Sequence, residues 1–475
     1  MTRLYGVRYN ILYYVQKRGM VMINVNDPKS QGVFTTLCEQ VKENNRIAAE
    51  KYVGKDIKRG LRNADGTGVV AGLTRICNVH GYVLSEGEKC PDKGVLTYRG
   101  YTIEDLVSGS NGQGRFGFEE VVFLLLFGFL PSAEQLADFS KLLSANRELP
   151  EYFAEDMIIK APSPNIMNKM SRSVLALYSY DNDPESTTVE NVLRQCIELI
   201  AMLPTIMGYA YQVKRRHYDK QSMAIHPLLP GLSTSETILR TIRADASYTP
   251  EEAKLLDLCL MLHAEHGGGN NSAFATRVLA SSGTDTYSAI SAAIGSLKGP
   301  RHGGANLKVM QMLEDIKAHV KDWEDEDEVA AYMVKILNRE ANDGSGLIYG
   351  MGHAVYTLSD PRAVLLKREA KRMTQERGYG KEFRLLETVE KLTPDLMLKV
   401  RGIEKAVCAN VDMYSGLIYQ SMGIPEELYT PLFAVARISG WCAHRIEELL
   451  TGGRIIRPAY KPFSKTKEYV PLKER

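Results

Sequence analysis

From Phe118 almost to the C-terminal end the sequence presents one helix pattern after another, each roughly ten to twenty residues long. Short punctuation such as Pro131-Ser132, Asp181-Asn182-Asp183-Pro184 and Ser359-Asp360-Pro361 divides them, and the strand signal nearly vanishes. Neither an internal repeat nor a long low-complexity segment interrupts the series. The pattern predicts an all-α fold. At 475 residues the chain exceeds one ordinary compact core, so a large multi-helix domain with a smaller helical lobe is expected.

Ahead of that series the reading is less uniform. Residues 40–62 are charged and read as a helix, closed by the turn Asn63-Ala64-Asp65-Gly66-Thr67-Gly68. The stretch through Gly94 fits short strands or extended arms equally well. Thr102 then reads as an N-cap, with Asp105 three residues on completing a capping box. The apolar run Val121 to Leu130 is about half the length a bilayer-crossing helix needs and reads as a buried helix.

Charge narrows the function classes. Lys plus Arg (59) nearly balance Asp plus Glu (57), giving a formal net charge of +2, which argues against nucleic acid or a membrane as partner. Seven scattered cysteines without a Cys-x-x-Cys pair suggest neither a disulfide framework nor a zinc ribbon, and fit a reducing compartment. Before Asp27 the tail carries Arg3, Arg8, Lys17 and Arg18 and no acid, part of the look of a transit peptide. It lacks serine, and Met20 and Met22 are alternative starts. The acidic run Asp322 to Glu328 reads as the solvated start of a helix rather than a metal site.

The chemistry-bearing residues lie in the punctuation. Gly299-Pro300-Arg301-His302-Gly303-Gly304-Ala305-Asn306 holds a histidine between two helix patterns, one with Tyr287, Ile290, Ile294 and Leu297 on a single face, the other with Val309, Met312, Leu313, Ile316 and Val320. Gly350-Met351-Gly352-His353-Ala354-Val355-Tyr356 repeats that arrangement, with Arg362 nine residues beyond His353. His263-Ala264-Glu265-His266 sets two histidines three apart on one helix face, which fits a buried hydrogen-bonded pair or, less well, zinc. Asp412 interrupts an apolar stretch, as does Arg437. A buried carboxylate has the raised pKa of a base, and an inward guanidinium is the usual fork for a carboxylate. Arg454 and Arg457 lie in a loop near the C-terminus. Histidines, one buried acid and several arginines suit proton abstraction beside a carbonyl, with a polycarboxylate as acceptor.

With these motifs the chain resembles the all-helical citrate synthases, which include the 2-methylcitrate synthases. Tyr98-Arg99-Gly100-Tyr101, Phe118-Glu119-Glu120-Val121, His263-Ala264-Glu265-His266, the two histidine turns, Asp360-Pro361-Arg362, Asn410-Val411-Asp412 with Tyr414-Ser415-Gly416, and Arg457-Pro458 occur in the family's order. The resemblance implies His302, His353 and Asp412 as catalytic residues. It implies His266, Asn270, Arg362, Arg437 and Arg457 as oxaloacetate ligands, Arg457 reaching the partner subunit of a homodimer. Tyr349, Gly350, Met351, Gly352 and Ala354 would carry the adenine end of acetyl-CoA, a co-substrate, and no metal or other cofactor is implied. The implied organisation is a tail over 1–40, a large domain over 41–302, a closing lobe over 303–417 and a return to the large domain over 418–475, with the active site in the cleft. The glycines around His302 would then also serve as a hinge. The implied compartment is the cytoplasm, with the mitochondrial matrix as the alternative. Propionyl-CoA in place of acetyl-CoA is the nearest rival activity, and a non-catalytic helical scaffold is the rival from another class. The segment before Tyr98 reads as charged and helical, unlike the β-rich N-terminal domain of the NADH-inhibited branch.

Overall fold

The computed structural model describes residues 28–475 except Val53, Gly87, Gly452 and Lys465. The transit-peptide and alternative-start readings, which concern residues before 28, lie outside the described residues. The chain divides into two compact units, Met1–Val69 and Val70–Arg475.

In the first unit the helix runs Pro28–Asn45, earlier than the expected 40–62. Proline near a helix start lacks only an N–H that would be unpaired there. Beyond Asn45 the charged composition continues, but Gly54 and Gly60 sit at φ +70° and +63°, so only single 3₁₀ turns form at Ala49–Tyr52 and Arg59–Leu61. The expected turn is present: Asp65 accepts from the Thr67 N–H at 2.8 Å, and Arg62 bridges Gly68.

The second unit opens with a hairpin. Cys77–Ser85 pairs antiparallel with Glu88–Tyr98, which pairs in turn with the two-residue strand Tyr101–Thr102. The stretch left open between strands and arms is therefore stranded, and the segment before Tyr98 is not wholly helical. Register shifts between His80 and Tyr82. Thr102 caps the helix Ile103–Gly112 by accepting from the Asp105 N–H. The reciprocal half of the expected box is absent: the Asp105 carboxylate takes the Thr102 hydroxyl at 2.6 Å.

From there the fold is helical. Phe118–Phe127 is buried over nine of its ten residues and stops at Gly128, which is left-handed at φ +85°. Phe129 and Leu130, read as part of the same buried run, are exposed beyond that stop. Val189–His217 is long and apolar enough to cross a membrane, yet 78% of its apolar window is buried inside the protein, so it serves as a core helix. The axis of the unit is Tyr429–Thr451, buried from Ala434 through Ile446. Around it pack Phe118–Phe127, Val189–His217, Pro250–His263, Asn271–Ala280 and Thr286–Lys298. Five further helices, Ala305–His319, Glu326–Leu337, Pro361–Glu376, Gly380–Arg401 and Asp412–Ser421, pack largely on one another. Asp325 of the acidic run caps Glu326–Leu337, while Glu324 and Glu326 pair with Arg384 and Lys391. Both apolar stripes flanking His302 are buried as read.

Candidate active site

The axial helix presents Phe433, Arg437, Trp441 and His444 on one face, at four-, four- and three-residue spacing. That face meets the end of Pro250–His263. The helix stops at His263, so His263 and His266 do not share a helix face as read from the sequence. His263 is fully buried and stacks on Phe433 with ring centres 4.2 Å apart. His266 turns away to meet His353 edge-on at 5.0 Å and Tyr356 at 5.6 Å. The divergence of the two rings removes the basis for a shared zinc ion.

Arg437 is 1% exposed, and its Nε donates to the His263 carbonyl at 2.7 Å, one of the unpaired carbonyls at that helix's end. Its Nη2 has no partner among the described residues. Burial holds its guanidinium below the ordinary range, while the nearby Glu265 charge pulls upward. Glu265 is itself fully buried and paired with the His444 Nε2 at 3.1 Å. Burial works against its charge, but His444 and Arg437 outweigh it and keep the carboxyl low. Gly440 makes this possible: any Cβ there would lie 2.0 Å from the Glu265 Oε2.

Arg362, at 3% exposure, is held differently. Asp360 caps the helix Pro361–Glu376 and also binds Arg362 twice, Nε to Oδ1 at 3.0 Å and Nη2 to Oδ2 at 2.7 Å. Burial opposes the charge, and Asp360 more than offsets it, so the guanidinium stays above its usual range. The pocket thus carries one paired cation and one whose fork is open.

The two histidine turns fix opposite tautomers. The Nδ1 of His353 accepts the N–H groups of Val355 and Tyr356, both at 3.0 Å, so a neutral ring carries its proton on Nε2. The Nε2 of His302 accepts the Ser272 N–H at 3.3 Å and lies 2.9 Å from the Ser272 hydroxyl, so its proton sits on Nδ1. The Trp441 indole N–H in turn donates to that hydroxyl at 3.0 Å. Burial, with Arg437 adding, holds His302 down at about 4. His266 is pushed well below its ordinary value by burial and then by Arg362, His353, Arg437 and His302.

Asp412 begins the helix Asp412–Ser421, where its N–H donates to the Asn410 side chain at 3.0 Å. Burial raises its carboxyl to about 6, with Arg362 and Arg437 pulling downward and Asp360 adding to the rise. The His353 turn is stitched to this helix start. Gly352 N–H donates to the Cys408 carbonyl at 2.8 Å, Asn410 N–H to Gly350 at 2.9 Å, and the Asn410 amide to Gly352 at 3.0 Å. Gly350 and Gly352 lie at φ +82° and +91°, which the stitching requires and a side chain resists.

The site therefore draws together His266, His302, His353, Arg362, Asp412 and Arg437. Tyr349, Met351 and Gly352 are half-buried, Gly350 is buried and Ala354 exposed. The Asn270 amide is engaged locally, accepting the Ala273 N–H at 3.0 Å and donating to the Gly267 carbonyl at 2.9 Å. Arg457 is exposed on the C-terminal segment. Sequence reasoning missed Ser272, Trp441, Glu265 and His444 as supports. Their signal was weak: a serine just inside a helix start, and a helix face shared with Arg437.

Such a pocket defines a class: a largely helical protein whose buried site joins two guanidinium groups, three histidines and a carboxyl of raised pKa. The comparisons narrow it. Residues 63–459 match the model of the family described as citrate synthase, C-terminal domain. A citrate synthase of Synechocystis is 32% identical over 412 residues, 86% of this chain and 92% of that one. A 2-methylcitrate synthase of Corynebacterium glutamicum is 31% identical over 422 residues, covering 88% and 98%. The citrate synthase of Thermoplasma acidophilum, solved as a ternary complex with carboxymethyl coenzyme A and oxaloacetate, superposes with TM-score 0.71 at 25% identity, covering 89% of this chain and all of that one. The chain belongs to the citrate synthase family.

Proposed function

We propose that the protein condenses acetyl-CoA with oxaloacetate and water to give citrate and CoA. The observation that carries the reading is Arg437, wholly buried with an open fork, beside an Asp412 carboxyl raised to about 6. The Glu265 charge offsets part of the cost of burying this cation, but the unbonded Nη2 is left for an anionic ligand to complete.

In this reading the Asp412 carboxylate takes a proton from the acetyl methyl group, and the Nδ1–H of His302 donates to the thioester oxygen as the enol forms. The enol carbon attacks the ketone carbon of oxaloacetate, whose oxygen takes the proton on His353 Nε2. Water then cleaves the citryl thioester, releasing CoA. His266, Arg362 and Arg437 bind the carboxylates of oxaloacetate. Each donor to a developing oxyanion contributes about 3 to 4 kcal/mol to catalysis. Asn270, whose amide donates to the Gly267 carbonyl just after His266, is a further ligand of the same substrate. Residues 349–352 with Ala354 carry the adenine end of CoA, and the chemistry uses side chains alone.

Residues 303–417 act as a lobe that closes on the substrate, which the mutual packing of its helices supports. Arg457 completes the site of a second copy in a homodimer. Bacterial relatives support a cytoplasmic enzyme over a mitochondrial one.

The 2-methylcitrate reading has the Corynebacterium relative in its favour. One methylene in an apolar pocket is worth about 1 to 3 kcal/mol, so the shared catalytic groups serve either thioester. The test is CoA release from oxaloacetate with acetyl-CoA or propionyl-CoA. Preference for acetyl-CoA is expected; preference for propionyl-CoA selects the alternative, and no release with either returns the scaffold reading.

A further inference from the structure

The irregular point of the hairpin faces the loop that joins His353 to Arg362. Between the paired positions His80↔Val95 and Tyr82↔Pro91, one strand has Gly81 alone and the other has Asp92, Lys93 and Gly94. The ladder cannot pair these residues with each other, and a side chain from elsewhere supplies the partners. Thr357, 3% exposed, donates its hydroxyl to the Gly81 carbonyl, with the Asp92 carbonyl 3.1 Å away, and accepts the Asp92 N–H at 3.1 Å. Ser359 accepts the Gly94 N–H at 3.2 Å. His80 and Asp92 close the gap on the hairpin side with a 2.7 Å contact.

Both hairpin glycines are demanded by this approach. A Cβ on Gly81 would lie 2.6 Å from the Tyr356 Cα, and one on Gly94 would lie 1.9 Å from the Ser359 carbonyl oxygen. Tyr356, thus gripped, stacks its ring on His353 at 4.5 Å and 29°, and gives its N–H to His353 Nδ1. The contact reaches the proposed catalytic group in one step.

We propose that the hairpin Cys77–Tyr98 is a clamp that sets the His353–Arg362 loop, and that Thr357 is its positioning residue. The catalytic side of this inference rests on the function proposed above. Thr357→Val keeps the shape and leaves Gly81 and Asp92 without their partner, whereas Thr357→Ser keeps the hydroxyl.

The test uses the full-length protein and two readouts. Hydrogen exchange of the peptide covering residues 353–360 is expected to quicken on the order of ten-fold in Thr357→Val and to stay at the wild-type rate in Thr357→Ser. In the same variants kcat/KM for oxaloacetate is expected to fall on the order of ten-fold for valine, mostly through kcat, and to be retained for serine. Valine with wild-type exchange overturns the clamp, whatever its activity. Faster exchange with unchanged kcat/KM overturns the positioning role. A wild-type protein that releases no CoA sinks the function reading and not the clamp, which the exchange readout still decides. Should valine fail to fold, Ser359→Ala, which removes only the Gly94 contact, must show the same two effects in milder form; wild-type behaviour there overturns the proposal.

Discussion

His302 receives the Ser272 backbone N–H on Nε2 at 3.3 Å, with the Ser272 hydroxyl 2.9 Å from the same nitrogen. A backbone N–H only donates, so this contact puts the ring proton on Nδ1 without any protonated histidine. An imidazole held at about 4 is a neutral donor throughout the working range of pH.

Ser272→Ala keeps the backbone donor and removes the hydroxyl that Trp441 and His302 share. Turnover is expected to fall about ten-fold, the size of one lost buried hydrogen bond, with KM for oxaloacetate nearly unchanged. Steady-state kinetics at saturating acetyl-CoA check it. An unchanged kcat would mean that the N–H alone orients the ring.

Asp412→Asn should remove condensation, a loss on the order of a thousand-fold, while oxaloacetate still binds by calorimetry. The wild-type rate should rise with pH through about 6 as the carboxyl ionises. Its folded value lies above the ordinary 3.8, so its stabilising contribution is complete below about pH 4 and is lost as pH rises through 6. The asparagine variant should therefore gain stability relative to wild type between pH 5 and pH 7, as read from urea midpoints, with no gain counting against the raised value.

Arg437→Met replaces a buried, half-satisfied cation with an apolar chain of similar reach. The ligand-free variant is expected to melt lower than wild type, because it loses the bond to the His263 carbonyl and leaves the buried Glu265 charge with less compensation. Oxaloacetate should raise the melting temperature of the wild type and leave the variant where it is. A variant that still responds to oxaloacetate would remove Arg437 from the ligand set.

Arg457→Ala and Arg437→Ala should each be inactive alone. If Arg457 completes the neighbouring site, co-refolded mixtures form heterodimers with one intact site, and about a quarter of wild-type activity returns. Absence of recovery, with heterodimers demonstrated by mass, would confine Arg457 to its own chain.

The helical part of the fold was legible because apolar residues at three- and four-residue spacing can be buried in few other ways. The stripes beside His302 and the Thr102 and Asp325 helix starts are local events that the sequence encodes locally. Local pattern misled where backbone geometry intervened. Charge suggested a helix over 40–62, but the helix ends at Asn45 and two glycines at positive φ break the segment beyond it, and the His263–His266 spacing suggested a shared face that the helix end separates. The hairpin stayed undecided because its strands are held partly by Thr357 and Ser359, more than 260 positions away.

The sequence by itself determined which groups exist and in what order: two glycine-held histidines, an acid within an apolar run, an arginine beside Asp360 and another within an apolar helix. Those facts are sufficient for the family, since they depend on residue type and spacing. Only the tertiary structure decided their states. That Arg437 meets the His263 carbonyl and keeps an open fork, that Ser272 fixes the His302 proton on Nδ1, and how far burial lifts Asp412 depend on distances between residues remote in the chain, because electrostatics and desolvation act through space.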